Sequence, residues 1–184
     1  MRDYGKVRKG QNVLVVGASG CVGMFAVQIA KTMGATVTGV CSTAKMEMVR
    51  SLGADHVVDY TKDDVTTNGE TYDVILDAGA YRSTFDYTRS LAPTGVYVLV
   101  GGEMKRTWQM LLLGRLRSKK GGKQYTMFVA RANRPDLAKL AELMDQGTLR
   151  PVIGARYPLA HAAEAVSIME QGKAVGKVVI TVSE

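Results

Sequence analysis

The sequence predicts an α/β protein, a Rossmann-type doubly wound parallel sheet with helices on both faces in three α/β/α layers. Two observations carry this. Short β-branched apolar runs alternate with segments whose apolar residues recur at steps of three and four, and a glycine-rich turn joins the first run to the first such segment. Parallel strands need crossover helices, so an alternating order of this kind reads as a sheet covered on both sides.

Val13 to Val16 is an apolar run ended by Gly17 and suits a strand buried on both faces. Val22, Phe25, Ala26, Ile29, Ala30 and Met33 then define one face of a helix that Gly34 stops. Thr36 to Cys41 is a second strand. Ser42 or Thr43 is expected to cap a helix carrying Met46, Val49 and Leu52, ended by Gly53. His56 to Asp59 is a short, buried third strand and Tyr72 to Asp77 a fourth. Ser83 to Leu91 is expected to be helical, and Val96 to Val100 a strand closed by Gly101 and Gly102. A sixth strand is expected over Thr126 to Ala130. Asn133 should cap a helix that holds Leu137, Leu140, Ala141 and Met144 and stops at Gly147. The tail changes character: Pro151 and Pro158 mark a linker, Ala160 to Gln171 a short helix, and Gly176 to Val182 an apolar strand. We therefore expect a dinucleotide-binding unit over 1–148 and a separate C-terminal segment over 149–184.

Composition bounds the function. The chain has 184 residues, of which 46% are hydrophobic and 22% charged, so it is built to fold around a core. A chain this long buries roughly 70% of its unfolded surface and needs no disulfide or metal to be stable. Cys21 and Cys41 form no C-x-x-C pair and have no histidine at ligand spacing, so no metal site is expected, and the compartment reads as reducing. The N-terminus has no apolar signal core, and no run reaches the roughly 18 apolar residues of a membrane span, which makes the cytoplasm the expected location. The net charge of +7 permits anionic partners without identifying one, though seven basic and no acidic residues fall between Lys105 and Lys123.

The turn Gly17-Ala18-Ser19-Gly20-Cys21-Val22-Gly23 has G-x-x-G-x-x-G spacing between strand and helix. Gly20 would let backbone approach a pyrophosphate and Gly23 would let helix pack on strand, while the helix N-terminus presents unpaired N–H groups and partial positive charge. A purely structural turn is the competing reading; the flanking strand and amphipathic helix favour the phosphate site. Cofactor choice is read at the end of the second strand, where NAD sites place a carboxylate about 20 residues on. No carboxylate occurs from Val40 through Met46; Ser42, Thr43 and Lys45 are there instead, two hydroxyls and a cation suited to a 2′-phosphate. NADPH is the expected cofactor. A cap and a solvated lysine are the alternative for these three.

Several separated motifs occur in order: Val13 to Gly23, Leu52-Gly-Ala-Asp-His-Val-Val-Asp-Tyr60, Tyr72 to Asp77, Gly147-Thr-Leu-Arg-Pro-Val-Ile153, Tyr157-Pro-Leu159 and Gly176-Lys-Val-Val179. In these the chain resembles the cofactor-binding half of the medium-chain dehydrogenases/reductases, specifically their zinc-free quinone oxidoreductase branch. The resemblance implies hydride transfer from NADPH to a carbonyl, enone or quinone. It also implies that Ser19, Gly20, Cys21 and Val22 contact the pyrophosphate, that Ser42, Lys45 and Tyr60 surround the 2′-phosphate, and that Phe128 and Val129 lie beside the nicotinamide. Two departures stand out. Asp77-Ala-Gly-Ala80 carries its glycine one place earlier than the family pattern, and the chain lacks the family's N-terminal GroES-like domain, against which residues 149–184 would pack. The apolar strand Lys177 to Val182 is then expected to present an unpaired edge or a dimer contact.

No catalytic residue is assigned. His56 and His161 read as structural, and Asp77 equally as a turn or cap residue. Two other functions remain open: a dinucleotide-binding module without turnover, and a domain that adheres to a membrane or nucleic acid through Trp108, Met110 to Leu113 and the basic residues after them. The clustered leucines fit a loop or cleft-lining helix better than a sustained amphipathic face, so neither membrane nor nucleic acid is an expected partner.

Overall fold

A computed structural model describes residues 1–79, 81–101, 108, 110–111, 122–130 and 132–182. Six parallel strands form one sheet: β1 (Asn12–Val16), β2 (Thr36–Cys41), β3 (His56–Asp59), β4 (Tyr72–Asp77), β5 (Leu91–Leu99) and β6 (Gln124–Met127). Their spatial order is β3-β2-β1-β4-β5-β6, so the order reverses between β1 and β4. That reversal opens a crevice outside the C-terminal ends of the two strands, the place where such sheets bind ligands.

Each face of the sheet has its own core. Val13, Val15, Val37 and Val74 pack under α1 (Cys21–Thr32) and α2 (Met46–Ser51), whereas Leu14, Val16, Ile75, Tyr87, Tyr97 and Leu99 pack on the opposite face. The alternation of β1 side chains between these clusters is the period-two geometry of a strand buried on both sides. Met24 and Val27 of α1 are wholly buried, each at about 1.5–3 kcal/mol of apolar burial. The helix ends in a Schellman motif: Gly34, with φ of +77°, and Ala35 donate to the carbonyls of Lys31 and Ala30 at 2.9 and 3.1 Å.

Four expectations are corrected. Ser83 to Leu91 is not a helix: only Asp86–Thr88 makes a 3-10 turn, and Leu91 already opens β5. Thr84, Phe85, Tyr87 and Thr88 are poor helix formers, and Ser83 and Asp86 bond to each other's backbone N–H or carbonyl instead. β6 starts at Gln124 and ends at Met127, short of Ala130. The third strand is at the sheet edge, and His56 on it is exposed rather than buried. The linker marked by the prolines contains β7 (Ile153–Pro158), which pairs in parallel with β8 (Lys177–Thr181) across the helix α4 (Ala162–Glu170), so the apolar tail strand has a partner in its own segment.

Asn133 does cap α3 (Arg134–Asp145), its side-chain oxygen accepting from the Asp136 N–H at 2.9 Å. Its apolar residues Leu137, Leu140 and Met144 are nevertheless exposed. The C-terminal segment is fastened to α1: the buried Gln28 side chain donates to the Arg150 carbonyl and accepts from its N–H at 3.1 and 2.8 Å, and the Lys177 ammonium lies 5.6 Å from the Phe25 ring centroid. Most of the basic stretch, residues 102–107, 109 and 112–121, lies outside the described residues. Met110 is buried against the second core, and Trp108 and Leu111 are exposed. Among the described residues no helix is long and apolar enough to cross a membrane.

Helix α1 meets the turn after β1 at Gly23, where a Cβ would stand 2.1 Å from the Gly17 carbonyl oxygen and 2.7 Å from the Ala18 Cα. Alanine gains about 1 kcal/mol in helix propensity over glycine, which is too little to offset a forced backbone shift. Gly23→Ala should therefore destabilise the chain by about 2 kcal/mol or more in urea unfolding; an unchanged midpoint would contradict this packing.

Candidate dinucleotide site

The site is built at the C-terminal edge of β1. Gly17 turns the chain with φ of +75°, and its N–H and that of Ala18 donate to the Val40 carbonyl at 3.1 and 3.0 Å, locking the turn to β2. Any side chain on Gly17 would collide with the Gly79 backbone, 2.9 Å from its nitrogen. The glycine that stands one place early in Asp77-Ala-Gly-Ala80 is thus the one that abuts Gly17. Asp77 holds it there: this wholly buried carboxylate accepts from the Gly79 N–H at 3.1 Å and the Tyr97 hydroxyl at 2.6 Å. Asp77 is a turn-shaping residue.

Gly20 differs from its neighbours. A Cβ there would meet only the Gly17 carbonyl oxygen, at 3.3 Å, so the protein's own packing leaves its outer side open. Gly20 is also the N-cap of α1 and supplies no side-chain acceptor, and the first turn carries no acidic residue. The first N–H groups of α1 therefore receive no side-chain cap, with Ser19 half-buried and Cys21 and Val22 exposed around them.

At the end of β2 the structure revises the capping expectation. Ser42 precedes a 3-10 turn over Thr43–Lys45, and neither hydroxyl caps a helix. Among the described residues the Ser42 hydroxyl has no hydrogen bond, and the Lys45 ammonium donates to the Gly172 carbonyl at 2.8 Å, which leaves it two further protons. Thr43 donates its hydroxyl proton to Asp59, committing it internally.

Asp59 is the site residue that sequence reasoning missed. It ends β3 and pairs in register with Cys41, so a carboxylate does stand beside the end of β2, delivered by the neighbouring strand. The signal was the C-terminal end of the His56–Asp59 run, read only as a strand end. Asp59 is 3% exposed and accepts from Thr43, from the Thr61 N–H at 3.0 Å and from the Thr61 hydroxyl at 2.7 Å, with the Lys62 ammonium 3.9 Å away. These bonds, that from Thr43 foremost, hold its carboxyl below the usual carboxylate range. Burial, with the Asp59 charge, pushes the neighbouring Cys41 thiol up to about 11, so it stays protonated.

Tyr60 is half exposed and its N–H donates to the Cys41 carbonyl at 3.1 Å, which brings it to the same edge as Ser42 and Lys45. Phe128 and Val129 follow β6 at the other side of the crevice; Phe128 continues the ladder by donating to Leu99 at 2.8 Å and meets Tyr4 edge to face at 5.4 Å. His161 is exposed beside Glu164, 3.2 Å away. Among the described residues no group of three or more His, Cys, Asp or Glu side chains could hold a metal.

Because the folded pKa of Asp59 lies below its unfolded value, its stabilising contribution is complete above the ordinary carboxylate range and is lost as pH falls through the folded value. Asp59→Asn should lower the melting temperature at neutral pH and show a smaller further loss than the parent between about pH 5 and about pH 2. Parallel acid profiles would show that Asp59 is not ionised in these bonds.

Family models match most of the chain: the one described as Zinc-binding dehydrogenase over residues 52–180, and that of the Alanine dehydrogenase/PNT C-terminal domain over residues 2–100. The mouse NAD(P)H oxidoreductase RTN4IP1, mitochondrial, is 35% identical over 95% of this chain and 48% of its own length. The NADPH-dependent alkenal/one oxidoreductase, chloroplastic, of Arabidopsis thaliana is 32% identical over 97% of this chain and 43% of its own. The chain thus spans about half the length of the relatives it matches. The quinone oxidoreductase from Coxiella burnetii shares the fold, with a TM-score of 0.85 at 24% identity over 97% of this chain and 55% of that one. With a parallel sheet, a glycine turn at its switch point and these matches, the chain belongs to the zinc-binding dehydrogenase family of the medium-chain dehydrogenase/reductase superfamily.

Proposed function

We propose that the chain is the dinucleotide-binding part of an NADPH-dependent oxidoreductase acting on a small electrophilic carbonyl, enone or quinone. The observation that carries this reading is the open outer side of Gly20 at the uncapped start of α1, placed at the strand-order reversal. In this reading Ser19, Gly20, Cys21 and Val22 receive the pyrophosphate on backbone N–H groups. Ser42 and Lys45 donate to the 2′-phosphate, Tyr60 flanks it, and Thr43 acts indirectly by holding Asp59. Asp59 does not compete for a ribose hydroxyl, because it is 3% exposed and enclosed by its bonds from Thr43 and Thr61. This supports NADPH over NADH.

Phe128 and Val129 offer an apolar wall for the nicotinamide. When bound, reduced nicotinamide supplies the hydride, and the chain supplies orientation and exclusion of water. No metal held by this chain takes part, and Cys21 and Cys41, both free, suit a reducing compartment such as the cytoplasm. Residues 1–148 form the cofactor unit in this reading. Residues 149–184, with the exposed Leu159, Val166 and Met169, pack with the α3 face on the other half of the enzyme. The outer edge of β8 is where a second copy would add. Nucleic acid and membranes are not assigned as partners.

The test is a titration of the purified chain with NADPH and with NADH, followed by nicotinamide fluorescence. NADPH should bind the tighter, and Lys45→Ala should weaken NADPH about tenfold while changing NADH little, the loss of one charge-assisted contact. Equal weakening of both would remove Lys45 from the 2′-phosphate site, and no binding of either would leave the glycine turn purely architectural. NADPH binding without quinone reduction would assign this chain binding alone.

A further inference from the structure

Phe128 and Val129 leave β6 with 40% and 53% of their surface exposed, and the sheet fixes only the Phe128 backbone, through its bond to Leu99. A side chain that is to serve as a wall must have its ring held as well. That support comes from a segment remote in sequence. The Tyr4 ring meets Phe128 with centroids 5.4 Å apart and planes at 83°, the arrangement in which the positive edge of one ring faces the negative face of the other.

Tyr4 is itself carried on a fixed segment. Residues 2–5 form a turn, and Gly5 is buried where a Cβ would stand 3.2 Å from the Val74 side chain of β4. Val7 belongs to the core under α1, and its N–H donates to the Met1 carbonyl at 3.3 Å. A second contact ties the same segment to the other side of the loop that carries Phe128. The Arg2 guanidinium donates to both carboxylate oxygens of Asp136, in the first turn of α3, at 2.7 and 3.3 Å, and the cap residue Asn133 donates to that carboxylate at 2.7 Å. The bond from Arg2 foremost, then that from Asn133, holds the Asp136 carboxyl below the usual carboxylate range, so the pair stays ionised.

An exposed ion pair of this kind contributes little to stability. Its effect is on placement: Arg2 and Tyr4 hold the β6–α3 connection from both sides, at Asp136 and at Phe128. A tyrosine that served core packing alone would be drawn inward, as Tyr87 and Tyr97 are. Tyr4 stays 36% exposed, and its ring rests on a partner that is itself exposed.

We propose that Tyr4 is the positioning residue that holds the Phe128 ring in place as the wall for the nicotinamide. The proposal rests on the dinucleotide reading above and adds to it the group that sets where that wall stands. Support through an aromatic contact needs the ring and not the phenol hydroxyl, which separates it from a proton-transfer or hydrogen-bonding role.

The experiment is a titration of the parent chain, Tyr4→Phe and Tyr4→Ala with NADPH and with 2′,5′-ADP, which lacks the nicotinamide half, with the emission of bound nicotinamide read at saturation. The parent should bind NADPH more tightly than 2′,5′-ADP and shift the nicotinamide emission to the blue, as a ring held against an apolar wall does. Tyr4→Ala should weaken NADPH about fivefold and lose most of the shift with 2′,5′-ADP binding unchanged, and Tyr4→Phe should stay within about twofold of the parent. Unchanged NADPH binding and emission in Tyr4→Ala overturn the proposal and leave the dinucleotide reading intact, as does equal weakening of both ligands, which would make Tyr4 a residue of general packing. Loss in Tyr4→Phe equal to that in Tyr4→Ala overturns it in the same way. Failure of the parent chain to bind either ligand overturns the dinucleotide reading and the proposal with it.

Discussion

Backbone segments converge at the end of β1 closely enough that only glycine fits at positions 17 and 23. Gly17 abuts Gly79, Gly23 abuts the Gly17 carbonyl, and the Gly17 and Ala18 amides are bonded to Val40. This contact sets the approach of α1 to the sheet and fixes where its N-terminus points. It also joins β1 to β4 across the reversal of strand order, so the crevice and the uncapped helix end beside it are consequences of one piece of packing. Asp77, buried under the same contact, contributes shape rather than reactivity. Within this cluster only Gly20 is free of such crowding, and the backbone there is open to whatever the site receives.

Charge around the site is arranged so that the acidic groups are satisfied internally. Asp59 is enclosed by Thr43 and Thr61, Asp64 by Thr66 and Arg82, and Asp77 by Tyr97 and Gly79. The groups left facing outward are helix N–H groups, the Ser42 hydroxyl and the Lys45 ammonium. With these three carboxylates engaged internally, the described part of the crevice favours an anion. Lys45 has a further role in holding Gly172, so the C-terminal segment is anchored at the cofactor edge by Lys45 as well as at α1 by Gln28.

The bounds of β2, β3 and β4 were legible because each is a short β-branched run with punctuation at both ends, α1 because its period and its glycine stop agree, and α3 because its cap and stop do. The failures have physical causes. Ser83 to Leu91 has apolar residues at helical spacing, but β-branched and aromatic side chains and the Ser83–Asp86 bonds favour a turn. β7 was hidden because Pro151 and Pro158 only bound a strand that they seemed to forbid. Asp59 could not be placed at the end of β2 by scanning along the chain, since it arrives by cross-strand register.

The central claim is that the edge formed by Gly17–Val22, Ser42–Lys45 and Tyr60 receives NADPH. Hydrogen–deuterium exchange of the chain with and without saturating NADPH tests it most directly. Slowed exchange confined to those segments and to residues 128–129 is the predicted result. Protection at the C-terminal segment or the outer edge of β6, with the Gly17–Val22 amides unchanged, would contradict the claim.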